Sequence, residues 1–213
     1  MDQSTQPLTD HMKFLRDYYH KIGSELSSDQ ISLDKFISEM VENHLQLEKR
    51  ADYDGLLPEF LNHSGFEKTI NRELTILRRR GGIKSVLMAL DIDQLKRFND
   101  QEGHLSGDKL IKIYADVMLT QTRTADLKAR LGGDEFAIFL IGASLEDGKK
   151  IAEKIKRFII TEVKKEFLNL GWEQTVSIGI TETTNNDSAE TLRKRADQAL
   201  YSAKKKRNHI VTL

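Results

Sequence analysis

The chain has 213 residues, of which 38% are hydrophobic, and its 33 Lys and Arg balance 33 Asp and Glu. We therefore predict a soluble, cytoplasmic globular protein; the neutral balance argues against a dedicated nucleic-acid-binding protein, whose surface carries a basic excess. Cysteine is absent, which excludes a disulfide scaffold, a zinc ribbon and a thiol nucleophile. No apolar run approaches the roughly 18 residues of a membrane span, and the amino terminus lacks the apolar core of a secretory signal, so no membrane insertion is expected.

The first fifty residues predict a helical segment without candidate chemistry. Apolar residues recur at three- and four-residue steps from Leu33 to Leu47, which is typical of one helix face, and helix is expected throughout 8–50. Two interpretations stay open: the helices pack on their own domain, or they form a stalk or regulatory segment that promotes dimerisation. We assign residues 1–51 to this segment and 52–213 to a second domain.

From about residue 52 the pattern alternates between strands and helices. The continuous apolar run at 85–92 predicts a buried strand, and the runs on either side of Gly132 and Gly133 predict a hairpin. Three helices and two strands complete the prediction: helices at 106–119, 145–168 and 189–205, and strands at 174–181 and 209–213. This order predicts an α+β fold, a split βαβ (ferredoxin-like or palm-type) antiparallel sheet with flanking helices on one face.

Acidic residues collect where two predicted strands should meet. Asp91 and Asp93 end the strand at 85–92, and Asp134 and Glu135 follow the turn of a hairpin that should pair with it. Clustered carboxylates are costly unless a cation neutralises them, and a hard divalent ion prefers such oxygens together with substrate phosphates. The pattern therefore predicts metal-assisted phosphoryl or nucleotidyl transfer. The alternative is that these acids are merely solvated strand ends.

The segment RLGGDEFAIFL at 130–140 resembles the signature of the GGDEF-domain diguanylate cyclases, which condense two GTP molecules into cyclic di-GMP and two pyrophosphates. Four further segments match the family and stand in its order and spacing around this one: DIDQLKRFNDQEGHLSGD at 91–108, RTAD at 123–126, TVSIGIT at 175–181 and RADQALYSAK at 195–204. The resemblance covers about 52 to 213 and implies a GGDEF catalytic domain. Since one domain holds one GTP, it also implies a two-fold homodimer with facing half-sites.

The resemblance implies roles for the acidic residues. The side chains of Asp91 and Asp134, the carbonyl of Ile92 and the carboxylate of Glu135 would hold Mg²⁺ or Mn²⁺. Glu135 would also be the base that accepts the proton of the ribose 3′-hydroxyl. Lys96 would contact the phosphates and stabilise the transition state.

Further positions match the family's nucleotide contacts. Asn99 and Asp108 would read guanine, because a carboxylate accepts hydrogen bonds from the N1–H and 2-amino edge that adenine lacks and an amide can pair with the ring acceptors. His104 lies in the same loop and is expected to be a structural or nearby binding residue. The remaining implied contacts are the backbone of the two turn glycines and two phosphate-binding cations: Gly132, Gly133, Lys204 and Arg207.

Two segments depart from the family pattern. In DGLLPEFLNHSGF, Pro58 stands near the family's threonine position and His63 replaces its arginine. The closing AKKKRN lacks the family's glycine and is one residue shorter, so either Arg207 or Lys206 would supply the second phosphate contact. Neither change touches the implied metal ligands, so activity is expected to survive.

The run RTAD places Arg123 and Asp126 at the family's inhibitory site, which implies product inhibition by cyclic di-GMP. The alternative for these residues is a local ion pair at a turn. The alternative for the whole domain is a catalytically inactive receptor for cyclic di-GMP or GTP, which the retained Asp134 and Glu135 argue against. Asp108 argues against an adenine-accepting cyclase.

Overall fold

The structure of the protein, a computed structural model, describes residues 51–213 and, before them, ten residues: Lys13, Asp17, Lys21, Lys35 and 38–43. Each of these ten is helical, as predicted, and the rest of the predicted helical segment lies outside the described residues. The chain divides into two compact units, 1–51 and 52–213. Among the described helices, none has the length and apolar character needed to cross a membrane.

Residues 52–213 form a five-stranded sheet in the order β2-β3-β1-β4-β5. The strands are β1 (Val86–Ile92), β2 (Leu127–Arg130), β3 (Glu135–Leu140), β4 (Val176–Glu182) and β5 (Ile210–Thr212). The palm-type α+β fold is confirmed, and β1 to β4 pair antiparallel as predicted, whereas β5 departs from the prediction and pairs with β4 in parallel. The reason is the helix between them, since a strand that returns after a helical crossover runs in the same direction as the first strand.

Five helices flank the sheet: α1 (His63–Arg79), α2 (Leu95–Glu102), α3 (His104–Gln121), α4 (Leu145–Glu166) and α5 (Ala189–Lys204). Helices α3, α4 and α5 lie within a few residues of their predicted bounds, whereas the sequence pattern did not predict α1 or α2. In α1 the buried positions Phe66, Ile70, Leu74 and Leu77 follow the helical repeat, so its signal was present. The eight residues of α2 are too few to establish a periodicity.

The helices pack on both faces of the sheet, and the prediction of one covered face is wrong. Alternate side chains of β1 point to opposite faces. Met88 and Leu90 join a core with α3 and α4, whereas Leu87 and Ala89 join a second core with α1 and α5. A strand that is apolar at consecutive positions needs cover on both sides, and every residue of β1 is buried.

Helix α5 lies directly against the backbone of β4. A Cβ on Gly179 would lie 2.2 Å from the backbone nitrogen of Leu200 and 2.4 Å from the carbonyl oxygen of Ala196. Only glycine permits this approach. The contact fixes the height of α5 above the sheet, and with it the position of Lys204 in the last turn of that helix.

Candidate active site

The acidic ends of β1 and β3 meet at one corner of the sheet. Asp91 is the register partner of Glu135 across the β1–β3 pair, and the Ile92 N–H donates to the Asp134 carbonyl at 3.0 Å. The structure thus brings Asp91, Asp134 and Glu135 together, because the Gly-Gly turn returns the chain alongside the end of β1. We call these three residues the acidic corner.

Asp91 is the buried member of the acidic corner, with 2% of its surface exposed. Burial raises the pKa of Asp91 to about 6; the hydrogen bond from Lys204 opposes this shift, and the nearby charge of Asp134 adds to it. Lys204 Nζ donates to Asp91 Oδ2 at 2.6 Å. Burial by itself would lower the pKa of Lys204, but the hydrogen bond and charge of Asp91, followed by the charges of Asp134 and Glu135, raise it.

Asp93 does not join the acidic corner, which corrects the expectation that both acids at the end of β1 would do so. Its carboxylate accepts hydrogen bonds from Thr175 Oγ1 at 2.7 Å, Ser177 Oγ at 2.8 Å and the Asn208 backbone N–H at 2.9 Å. A carboxylate that is buried and paired in this way carries its charge without a metal. Asp93 therefore ties β1 to β4 and to the turn between α5 and β5.

The acidic corner fits a divalent cation that shares its ligands with a substrate. Within the part of the chain that the structure describes, no three Asp, Glu or His side chains form a ready-made metal cluster. Mg²⁺, however, is usually held by one or two carboxylates together with water and phosphate oxygens. Asp91 offers a buried carboxylate that already takes a cationic partner, Lys204, and Asp134 adds a second negative charge close by.

The Arg130 guanidinium stabilises the Gly-Gly turn through hydrogen bonds to its backbone. Its Nη2 and Nε donate to the Gly133 carbonyl at 2.8 and 3.3 Å, and its Nη1 donates to Asp54 Oδ1 at 3.3 Å. A Cβ on Gly133 would meet no atom within 4 Å, so the outer side of the turn is open to a ligand. Sequence analysis missed Arg130, although its place directly before LGGDE was a usable signal.

The predicted base-reading residues lie on α2 and α3. Lys96 is exposed in the first turn of α2, and Asn99 follows one turn later. His104 and Asp108 are exposed at the start of α3. Asn99 Oδ1 is buried and has no hydrogen-bond partner. A buried acceptor without a donor costs about 1–3 kcal/mol, so the position favours a ligand that brings one.

The turn after α5 takes an unusual backbone conformation. Arg207 and Asn208 have φ angles of 51° and 44°, in the left-handed region that glycine adopts most easily. The missing family glycine explains this, since the shortened turn must place other residues there. Lys204 reaches the acidic corner through Asp91, whereas Lys206 and Arg207 are exposed.

The RTAD turn is held by backbone contacts rather than by the ion pair considered as the alternative. Asp126 is buried, and its carboxylate accepts from the backbone N–H groups of Arg123 at 2.8 Å and Ile141 at 3.2 Å. Lys128 Nζ donates to the Arg123 carbonyl at 2.8 Å. Burial lowers the pKa of Lys128, with the charge of Asp126 opposing. Arg123 itself is exposed.

A cavity of about 210 Å³ lies beside Glu135 on the side of α1 and α5. His63, which replaces the family's arginine, contacts Arg193 Nη1 through its Nε2 at 2.8 Å, and Arg193 also pairs with Glu67. Asp197 lines the same cavity, and burial raises its pKa, with Arg193 opposing and Glu135 adding to the shift. Sequence analysis missed these charges because their partners lie on a different helix.

The sequence matches known proteins over most of its length. Residues 51–209 match the family model described as "Diguanylate cyclase, GGDEF domain". Diguanylate cyclase DgcP of Pseudomonas aeruginosa is 37% identical over 166 residues, which cover 76% of this chain and 24% of that protein. The response regulator PleD of Caulobacter vibrioides is 31% identical over 198 residues, covering 82% of this chain and 42% of that protein. The chain thus spans less than half the length of these relatives.

Solved structures share the fold. One is the coiled coil and GGDEF domain of DgcB from Caulobacter crescentus in complex with c-di-GMP. Its TM-score with this structure is 0.76 and its sequence identity is 29%, and the match covers 86% of this chain and 97% of that chain. Diguanylate cyclase SiaD from Pseudomonas aeruginosa, in complex with its activator SiaC, gives 0.69 at 27% identity, over 99% and 80%.

Proposed function

The chain belongs to the diguanylate cyclase GGDEF domain family, and from this premise we propose that it condenses two GTP molecules into cyclic di-GMP and two pyrophosphates. The observation that carries the proposal is the acidic corner, where the buried Asp91 faces Glu135 and takes Lys204 as its cationic partner. A receptor that only binds nucleotide has no need of such a destabilising carboxylate. The catalytically inactive receptor is therefore the weaker alternative.

The test is incubation of the protein with GTP and Mg²⁺ and quantification of cyclic di-GMP and pyrophosphate. We expect one cyclic di-GMP for every two pyrophosphates, and no product when a chelator replaces the metal. ATP in place of GTP controls for base selection. Binding of GTP or cyclic di-GMP without any turnover would establish the receptor instead.

The acidic corner would hold the cation through Asp91, Asp134, Glu135 and the Ile92 carbonyl. When bound, Mg²⁺ or Mn²⁺ supplies charge neutralisation at the α-phosphate and lowers the pKa of the attacking hydroxyl. Glu135 is exposed at the corner, and it would accept the proton of the 3′-hydroxyl. The open side of the Gly-Gly turn would let the substrate approach the backbone.

Basic side chains around the acidic corner would bind the phosphates of GTP. Lys204 donates to Asp91 in the structure, and its ammonium would also be placed to donate to a phosphate oxygen at the corner. Lys96, on α2, would stabilise charge on the α-phosphate in the transition state. Arg207 would add a second contact from the turn after α5.

The guanine would bind between α2 and α3. The unpaired Asn99 Oδ1 and the exposed carboxylate of Asp108 are acceptors, and the guanine edge offers N1–H and 2-amino donors. Adenine offers no donor at N1, so a site of this kind leaves an acceptor unpaired when ATP enters. His104 would lie at the edge of this pocket.

The active species would be a homodimer. One domain has one GTP site, and each GTP must attack the α-phosphate of the other, so two half-sites must face one another. We expect the specific activity of the full chain to fall when it is diluted below its dimer dissociation constant. Initial rates measured across a dilution series, with mass determined by light scattering at each concentration, check this. A constant specific activity in a monomeric range would contradict it.

Product inhibition would act through the RTAD turn. Arg123 presents a permanently charged fork that can bind phosphate or the Hoogsteen edge of guanine, and Asp126, which accepts from the Arg123 backbone N–H, would complete the family's inhibitory site. We expect Arg123→Ala to raise the cyclic di-GMP concentration needed for half inhibition at least tenfold and to leave the initial rate nearly unchanged.

Calorimetry with cyclic di-GMP, performed while a non-hydrolysable GTP analogue fills the active site, measures this binding directly. Arg72→Ala on α1 is the control, because it removes an exposed arginine side chain from a different helix and should leave the half-inhibitory concentration unchanged. The inhibitory site is refuted by a wild-type protein that binds no cyclic di-GMP under these conditions.

A further inference from the structure

Gly107 lies in the first two turns of α3 and is buried. Glycine in a helix costs about 1 kcal/mol relative to alanine. Its backbone gives no reason for this choice, since Gly107 is not among the glycines with positive φ in the described chain. The reason for a glycine at this position must therefore be the space that its missing side chain leaves.

The side chain of Asn99 fills that space. A Cβ on Gly107 would lie 1.8 Å from Asn99 Oδ1 and 2.9 Å from its Cγ. Real Cβ atoms do not approach other atoms so closely, so an alanine here and the observed position of the Asn99 amide exclude each other. Helix α3 thus provides a slot, formed by the absence of a side chain, into which the amide of α2 fits.

The amide in the slot has an unpaired acceptor. Asn99 Oδ1 is buried against Gly107 and receives no hydrogen bond. The neighbouring residue Asp108 places a second acceptor on the exposed side of the same helical turn. A glycine within a helix and an unpaired buried oxygen each reduce the stability of the fold. Both occur at the contact between Gly107 and Asn99.

We propose that Gly107 is a specificity-determining positioning residue, whose missing side chain sets the Asn99 amide where it accepts a hydrogen bond from guanine. The inference rests on the proposed function and deepens it, because it assigns base selection to a residue that touches no nucleotide itself. The slot holds Asn99 in one rotamer before substrate arrives, and this preorganisation lowers the entropic cost of recognition.

Gly107→Ala tests the proposal. We expect the affinity for GTP, measured by calorimetry with the analogue, to fall about tenfold, as for loss of one buried hydrogen bond. The preference for GTP over inosine triphosphate, which lacks the 2-amino group, should fall with it, and KM should change more than kcat. Thermal stability should stay the same or rise, because alanine favours the helix. Ser106→Ala, one residue earlier in α3, is the matched control and should change none of these.

A double-mutant cycle with Asn99→Ala separates positioning from general damage. If Gly107 acts through Asn99, then Gly107→Ala should have no further effect in the Asn99→Ala background. Should Gly107→Ala alone fail to fold, Asn99→Ala must restore folding, because it removes the atom that collides. The proposal is overturned by a folded Gly107→Ala protein with wild-type GTP affinity and selectivity, or by additive effects. A wild-type protein that binds GTP without turnover would instead contradict only the proposed function.

Discussion

Asp134→Asn and Asp91→Asn are each expected to lower the rate of cyclic di-GMP formation by about a thousandfold or more. Each change replaces a charged oxygen with an amide of nearly the same volume, so it removes an anionic metal ligand and leaves the packing of the corner in place. The measurement is product formation from GTP over a range of Mg²⁺ concentrations. Circular dichroism of each variant establishes that the fold persists.

Asp93→Asn is the matched control for these variants. It removes a carboxylate from the same strand end, but one that binds Thr175, Ser177 and the Asn208 backbone instead of the corner. We expect a lower melting temperature and an unchanged Mg²⁺ concentration for half-maximal activity. Full activity in either corner variant, or a shifted Mg²⁺ requirement in the control, would show that the ligands are assigned to the wrong carboxylates.

The strand and turn that build the corner could be read from the sequence because their signals are local. The apolar run before Asp91 predicts a buried strand, and Gly132 and Gly133 predict the turn that brings Asp134 back to it. The turn fixes the register of β2 against β3, whereas the register that pairs Asp91 with Glu135 joins β1 to β3, two strands separated in sequence by two helices and β2.

The placement of helices on both faces of the sheet depends on contacts far apart in sequence. The same apolar run is compatible with one covered face or two, and only the second core with α1 settles the matter. The parallel pairing of β5 follows instead from the helix α5 between β4 and β5, which the sequence predicts.

The sequence also does not show that Asp91 and Asp93 have different roles. Both acids end the same strand and look alike in the sequence, but Asp93 finds its donors at Thr175 and Asn208, more than 80 residues away. A carboxylate with three donors is a structural link, whereas one that is buried against a second carboxylate needs a cation. The sequence could place the acids, and only the fold could assign them different roles.

Because Asp91 is buried, we predict that its ionised carboxylate destabilises the folded protein. Its pKa of about 6 in the folded chain lies above the ordinary value of 3.8, so the folded chain binds this proton more tightly than the unfolded chain does. Lowering the pH through 6 therefore raises the free energy of unfolding, and this increase is complete once the pH falls below the ordinary pKa of 3.8. Above pH 6 the ionised carboxylate reduces the free energy of unfolding by up to about 3 kcal/mol.

We therefore expect the free energy of unfolding of Asp91→Asn to exceed that of the wild type by about 1 to 3 kcal/mol at about pH 8 without metal. The difference should shrink at about pH 5, where Asp91 is protonated, and should also shrink when Mg²⁺ binds the wild type. Denaturant titrations at both pH values, with Mg²⁺ and with chelator, measure it. Asp134→Asn, at a half-buried position, should leave most of the pH dependence in place. A less stable Asp91→Asn protein at the higher pH would contradict this prediction, because it would mean that the ion pair with Lys204 outweighs the cost of burying the charge.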